Sequence, residues 1–123
     1  MKDRIQEYDL TFLTVHYIFS ISFTTSSTTL ASQSLRKQAG YQMIDTATIT
    51  LECDFTLNGK KVERGKLLSL LDQKYIDCWI DKEYNLHLQF SSGDEFIAIR
   101  NTNGFESYNI QWTLDPSKYV AII

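Results

Sequence analysis

A two-residue alternation of apolar and polar side chains dominates this chain of 123 residues. Such a period is typical of strands that bury one face and expose the other, as antiparallel sheets do. The two clearest apolar sets are Tyr17, Phe19, Ile21, Phe23 and Tyr84, Leu86, Leu88, Phe90. Further strands are predicted over 46–53, 75–81, 95–100 and 107–113. The pattern therefore predicts a β-rich domain built from antiparallel strands.

Helical spacing is clear in one segment, 62–73, where the apolar stripe comprises Leu67, Leu68, Leu70 and Leu71. Residues 2–7 are a candidate short helix, and 33–40 are read as a polar helical turn or a loop. The length suits one domain, and no linker or low-complexity tract divides the chain. The predicted fold class is α+β: a single β-rich domain, 1–123, with one helix near 62–73.

A shift of 67 residues superimposes the two alternating strands without a gap, with six identities between 1–44 and 68–111. Tyr17 then matches Tyr84, and Phe23 matches Phe90. An internal duplication would give two related β-units packed about a pseudo-twofold axis. Chance combined with shared strand patterning explains the same matches, so both interpretations stay open.

Composition and motifs argue against several classes of function. The net charge of −3 disfavours a nucleic-acid binder, which needs Lys and Arg to neutralise phosphates. No Gly-rich phosphate-binding motif occurs, and Cys53 and Cys78 lack zinc-ligand spacing, so neither a cofactor nor a metal is predicted. The two cysteines could form one bridge, but two free buried thiols in a reducing cytosol are expected. His16 and His87 are read as surface residues. No catalytic motif is found in the sequence, so an enzyme is not predicted.

The N-terminal region favours a cytoplasmic protein that does not cross a membrane. Residues 10–23 are rich in apolar side chains, but Asp3, Glu7 and Asp9 give the preceding segment no positive charge. A signal peptide requires that positive charge, and a membrane span requires about 20 apolar residues.

Acidic residues concentrate in the second half of the chain, where 67–123 hold eight Asp and Glu against four Lys and Arg. In 75–81 we expect Ile76, Cys78 and Ile80 to face the core. The opposite face would then present aromatic rings interleaved with carboxylates. Such a surface suits a protein interface, because aromatics supply contact area and acids attract a basic partner. The predicted partner-binding residues are Asp72, Tyr75, Asp77, Trp79, Asp81 and Glu83. The alternative is that Trp79 packs inside and the acids are merely solvated.

The segment 67–110 resembles small bacterial proteins that accompany polymorphic and contact-dependent toxins as immunity proteins. The resemblance rests on a Leu-rich lead-in (LLSLLDQKY), a strand–turn–strand (LHLQFSSGDEFIAI) and a terminal FESYNI. It implies binding and neutralisation of a cognate toxin, here a basic one such as a nuclease. It transfers no functional residue.

Two other functions remain open at this point. A small-ligand-binding module could place Tyr17, Tyr41, Tyr84 and Tyr108 around a pocket between the two β-units. A structural subunit could form a homodimer through a sheet edge.

Overall fold

Two antiparallel sheets enclose one hydrophobic core. The computed structural model describes residues 4–123, apart from the side chains of residues 36–38. The strands are β1 (Tyr17–Phe23), β2 (Thr28–Gln38), β3 (Tyr41–Leu51), β4 (Phe55–Leu57), β5 (Tyr75–Ile80), β6 (Leu86–Phe90), β7 (Glu95–Ala98), β8 (Tyr108–Trp112) and β9 (Val120–Ile122). One sheet has the order β1-β2-β3-β8-β9 and the other has the order β4-β7-β6-β5. The predicted β-rich, antiparallel architecture is confirmed.

Alternation along the strands supplies the core, as the sequence predicts. In β6, Leu86, Leu88 and Phe90 are fully buried, while His87 and Gln89 between them are partly exposed. Ile49 of β3 and Tyr108 of β8 join the same buried cluster from the other sheet. The two sheets thus bury their apolar faces against each other.

Because of a β-bulge, the buried and exposed faces of β1 differ from those that the sequence predicts. The register shifts between Ile18 and Ser20, so one extra residue stands opposite β2. Ile18 consequently points into the core and is fully buried, whereas Phe19 is exposed. Strict alternation is wrong here because a bulge moves the side chains that precede it to the opposite face.

The long β2–β3 hairpin replaces the helical turn or loop predicted over 33–40. Its two-residue turn consists of Ala39 and Gly40, which have φ values of 51° and 83°. Two positive φ values are the mark of the tight turn that matches the twist of a hairpin. The sequence obscures this turn because alanine rarely adopts a positive φ.

The helix predicted over 62–73 is a shorter 3₁₀ helix, Arg64–Leu70. With three residues per turn, Leu67 and Leu70 share the buried side. Leu68 and Leu71, expected in the same stripe, are exposed. Two further 3₁₀ helices, Thr11–Val15 and Pro116–Lys118, complete the helical content of the described residues. No helix among them is long and apolar enough to cross a bilayer.

The positions at which strands begin agree with an internal duplication, but the pairing of the strands does not. A shift of 67 relates the first residues of β2 and β3 to those of β7 and β8. β8, however, pairs with β3 rather than with β7. Two related units therefore stay a prediction. Of the short helix predicted at 2–7, residues 2 and 3 lie outside the described part, and residues 4–7 hold only a turn.

Both cysteines are free thiols, as predicted. Cys78 is buried, and Cys53 is partly buried. Burial, reinforced by the charge of Asp54, raises the pKa of Cys53 to about 12. Neither group is set up as a thiolate nucleophile, because a reactive cysteine requires a lowered pKa.

Candidate functional site

The predicted aromatic and acidic stripe lies on β5, at one edge of the four-stranded sheet. Its faces differ from the prediction at the start of the strand. Tyr75 is fully buried, and Ile76, expected inside, is 55% exposed. The cause is a register shift between Tyr75 and Asp77, which places an extra residue in the strand opposite β6. Beyond this bulge, Cys78 and Ile80 face the core as expected.

Trp79 is covered on both faces of its ring and is only 8% exposed. On one side it stacks against His87 of β6, with ring centroids 4.7 Å apart and planes 11° from parallel. The Arg4 guanidinium lies over the Trp79 ring, 4.8 Å from its centroid. This is the spacing of a cation–π contact. We refer to Arg4, Trp79 and His87 as the Trp79 stack.

Asp77 holds the same arginine through two hydrogen bonds. Arg4 Nη2 donates to Asp77 Oδ2 at 2.7 Å, and Nη1 donates to Oδ1 at 3.3 Å. Both side chains are partly exposed. A two-point contact with a guanidinium fixes its direction as well as its position. Asp77 and Trp79 therefore form a surface that fits a guanidinium group.

Asp81 anchors the far end of the Trp79 stack. Its Oδ2 lies 2.8 Å from His87 Nε2, and its Oδ1 accepts hydrogen bonds from the backbone N–H groups of Glu83 and Asn85. Burial alone would raise the pKa of Asp81, but the hydrogen bonds from His87, Asn85 and Glu83 outweigh it, so the pKa is lowered. Asp81 thus stays ionised and orients the His87 ring beneath Trp79.

The remaining predicted residues, Asp72 and Glu83, are exposed and flank the stripe. Asp72 follows the 3₁₀ helix with a φ of 66°. An open groove of about 300 Å³ runs beside the Trp79 stack, and its lining includes Arg4, Ile5, Tyr8, Leu10, Cys78 and Trp79. The stripe therefore borders a shallow concave surface.

Two members of the Trp79 stack were not predicted from the sequence. The sequence predicts a lone surface position for His87, although it lies directly across from Trp79 in the register of β5 and β6. Arg4 is 73 residues from Asp77 along the chain. No local spacing signals such a contact, whereas correct pairing of β5 with β6 would have pointed to His87.

A second polar cluster joins His16, the residue before β1, to β2, β3 and β8. His16 Nδ1 lies 3.1 Å from Ser32 Oγ, and His16 Nε2 lies 3.0 Å from Asp45 Oδ2. Trp112 Nε1 donates to the other Asp45 oxygen at 2.5 Å. The prediction that His16 is a surface residue is wrong, because it is fully buried.

This His16 cluster has the residue types of a nucleophilic triad but not the accessibility of one. Ser32, His16 and Asp45 are all buried. The Ser32 hydroxyl, moreover, donates to the carbonyl oxygen of Ala47 at 3.3 Å. A nucleophile must reach a substrate carbonyl, and the strands that cover Ser32 prevent this. The cluster instead ties three strands together by hydrogen bonds.

Tyr75 adds an unsatisfied group to the same interior. Its hydroxyl makes no hydrogen bond of normal geometry within the described residues. Burial raises the pKa of Tyr75 well above its usual value, while the nearby Ser32 hydroxyl lowers it. The phenol therefore stays protonated. Tyr75 is a core residue and is not available to a partner.

The four tyrosines expected around a pocket do not surround a common cavity. Tyr108 is fully buried, and its hydroxyl donates to the carbonyl oxygen of Tyr84 at 2.7 Å. Tyr41 lies at the turn of the β2–β3 hairpin and is largely exposed. One ring in the core and another at a hairpin turn cannot line one pocket.

Asp94 gives a pH-dependent contribution to stability that can be measured. Its carboxylate accepts hydrogen bonds from Asn58, Gln73 and Ser92, and these, in that order, lower its pKa. A lowered pKa in the folded state means stability that is present above the unfolded-state pKa and is lost as pH falls through the folded-state value. We expect Asp94→Asn to be less stable than the wild type at neutral pH.

The difference in stability should shrink as pH falls below about 4, the usual pKa of an aspartate, and vanish below the lowered pKa of Asp94. Urea unfolding at a series of pH values measures this. Asp54→Asn, at an exposed aspartate, is the control and should follow the wild type throughout. A difference for Asp94→Asn that is constant over pH would contradict the assignment.

Comparisons with protein-family models, curated proteins and solved structures give no match to this chain.

Proposed function

We propose that this chain binds and neutralises a basic partner protein, as a bacterial immunity protein does with its cognate toxin. The observation that carries the proposal is the Arg4 guanidinium, which sits on Asp77 and over Trp79. A partner's arginine presented to this surface would meet the same carboxylate and the same ring face. Arginine is a frequent contributor of binding energy at protein interfaces.

The charge distribution supports the same role. The second half of the chain holds twice as many acidic as basic residues, and exposed Asp72 and Glu83 flank the stripe. Carboxylates in such positions accelerate encounter with a positively charged partner. A toxin that cleaves nucleic acid must carry a basic cleft to hold phosphates, and an acidic surface complements that cleft.

Arg4 acts in this proposal as an internal competitor. A partner's arginine can reach this face of Trp79 only when the Arg4 side chain swings aside, because the Arg4 guanidinium lies over the ring in the free protein. Ile5 can keep its backbone hydrogen bond to Ile80 during this movement. The salt bridge being broken is partly exposed, and such pairs contribute at most about 1 kcal/mol. Displacement is therefore inexpensive for an incoming partner.

A growth-rescue assay tests the function. The C-terminal region of the protein encoded immediately upstream is expressed with and without this chain. The proposal expects toxicity that only this chain relieves, and a stable complex on gel filtration. Absence of toxicity, or toxicity that this chain does not relieve, would contradict it.

Binding kinetics with that partner test the surface. We expect Asp77→Lys to slow association and to weaken binding at least about tenfold, because it places a cation where an arginine should dock. Arg4→Ala should tighten binding, since it removes the competitor. Asp54→Lys is the matched control for net charge and lies at an exposed site outside the stripe. If Asp77→Lys and Asp54→Lys behave alike, the stripe is not the binding site.

A further inference from the structure

The β2–β3 hairpin extends past both of its neighbours. β1 pairs with β2 only as far as Gln33, and β8 pairs with β3 only from Ala47 onward. Between these limits the two strands continue to pair with each other up to Gln38 and Tyr41. We call residues 35–44 the arm. In the described part of the chain it is a two-stranded ribbon with no third strand beside it.

The arm exposes four large apolar side chains within ten residues. Leu35 and Ile44 stand directly opposite each other and are 62% and 61% exposed. Tyr41 is 74% exposed and Met43 is 39% exposed. An isolated two-stranded ribbon is marginally stable in water, and exposed apolar side chains that lie together typically mark an interaction site. Because side chains alternate along a strand, Leu35 and Ile44 form an exposed apolar pair on one face of the ribbon, and Tyr41 and Met43 lie on the other face. The arm therefore has the properties of an interface that lacks its partner.

Hydrogen bonds and burial attach the base of the arm, Ser34 and Asp45, to the core. Asp45, the residue that follows the arm, is held by His16 and by Trp112. Ser34, which precedes the arm and pairs with Asp45, is also buried. The buried His16 cluster thus fixes the direction in which the arm leaves the sandwich. A preorganised arm loses little conformational entropy when it docks.

The net charge of the arm indicates which kind of protein surface can bind it. Residues 35–44 contain Arg36 and Lys37 and no acidic residue, while the rest of the chain holds ten Lys and Arg against fifteen Asp and Glu. A basic toxin would be repelled by the arm, so the partner of the proposed function does not fit here. An acidic protein surface does fit, and the acidic surface present in this system is the body of the chain itself.

We propose that two copies of this chain exchange arms, each arm lying on the acidic body of the other. Reciprocal exchange is the closed twofold arrangement expected of a homodimer, and it makes every contact twice. Direct pairing of one arm with the other would instead bring two basic segments together. The apolar side chains supply the contact area, and the net positive charge of residues 35–44 supplies the attraction to the body.

Sedimentation velocity over a wide range of protein concentration tests this proposal without any toxin. We expect a reversible dimer that weakens at high salt, because the attraction is partly electrostatic. The double variant Leu35→Ser with Ile44→Ser should weaken the dimer at least about tenfold. Phe105→Ser is the control, since Phe105 is 72% exposed outside the arm, and it should leave the dimer unchanged.

Reversing the arm's charge distinguishes the two dimer geometries. Arg36→Glu with Lys37→Glu should weaken a dimer in which the arm lies on an acidic body. A dimer that this variant leaves unchanged or strengthens would overturn the exchange. Leu35, Ile44 and Phe105 lie outside the core cluster, so their variants should fold. Circular dichroism and urea unfolding check that every variant remains folded. A chain that is monomeric at every concentration, whether or not it binds anionic lipid vesicles, would also overturn the proposal.

Discussion

Asp45→Ala is expected to lower the free energy of unfolding by about 3 to 5 kcal/mol, the range for breaking a buried pair on one side. The Asp45 carboxylate accepts from Trp112 Nε1 and lies against His16 Nε2. Both nitrogens would lose this buried partner, and an unsatisfied buried polar group bears its full desolvation cost. Urea unfolding followed by tryptophan fluorescence measures the change.

Asp54→Ala is the matched control for this substitution. Asp54 is exposed, and its nearest ion-pair contact, to Lys61, is 3.9 Å long. A surface change of this kind should stay within about 0.5 kcal/mol. Equal effects of the two substitutions would mean that the His16 cluster does not hold the strands together. The arm would then have no rigid base.

Phe90→Ala is expected to destabilise the protein by about 3 to 5 kcal/mol, because it leaves a cavity in the core in addition to the lost burial. Phe90 is fully buried at the end of β6 and packs against Tyr75, with ring centroids 5.2 Å apart. The same contact lies where the β5 bulge begins. The substitution should therefore also loosen the start of β5, which carries the proposed binding stripe.

Phe105→Ala, at an exposed position, controls for the loss of an aromatic ring and should change stability by no more than about 0.5 kcal/mol. Hydrogen exchange of the β5 amides reports the local effect. Phe90→Ala should accelerate exchange near Tyr75 more than near Ile80. Uniform acceleration along β5 would contradict a local role for the Tyr75–Phe90 contact.

The sequence predicted those parts of the fold that follow from local periodicity. The strands at β1, β5, β6, β7 and β8 and the buried set of β6 were all visible in the two-residue alternation. Features that depend on one inserted residue in a strand could not be predicted from this alternation. The bulges in β1 and β5 reversed the faces of Phe19 and Ile76 because alternation carries no record of strand pairing.

The candidate site likewise contains some residues that local spacing predicts and others that only tertiary contacts place there. Asp77, Trp79 and Asp81 were identified from their spacing on one strand. The partners that decide what these residues do are Arg4 and His87, and they arrive through tertiary contacts. The tertiary structure also placed Tyr75 inside, which removes it from the predicted interface.

The sequence by itself determined the antiparallel β-rich architecture, the apolar face of β6 and the excess of acid in the second half. These properties follow from residue type and from the spacing of apolar residues within each strand. Only the tertiary structure decided that Trp79 is covered, that His16 is buried with Asp45, and that the arm extends beyond its neighbours. Each of these depends on which strands pair and where the pairing stops, and both are set by packing across the whole chain.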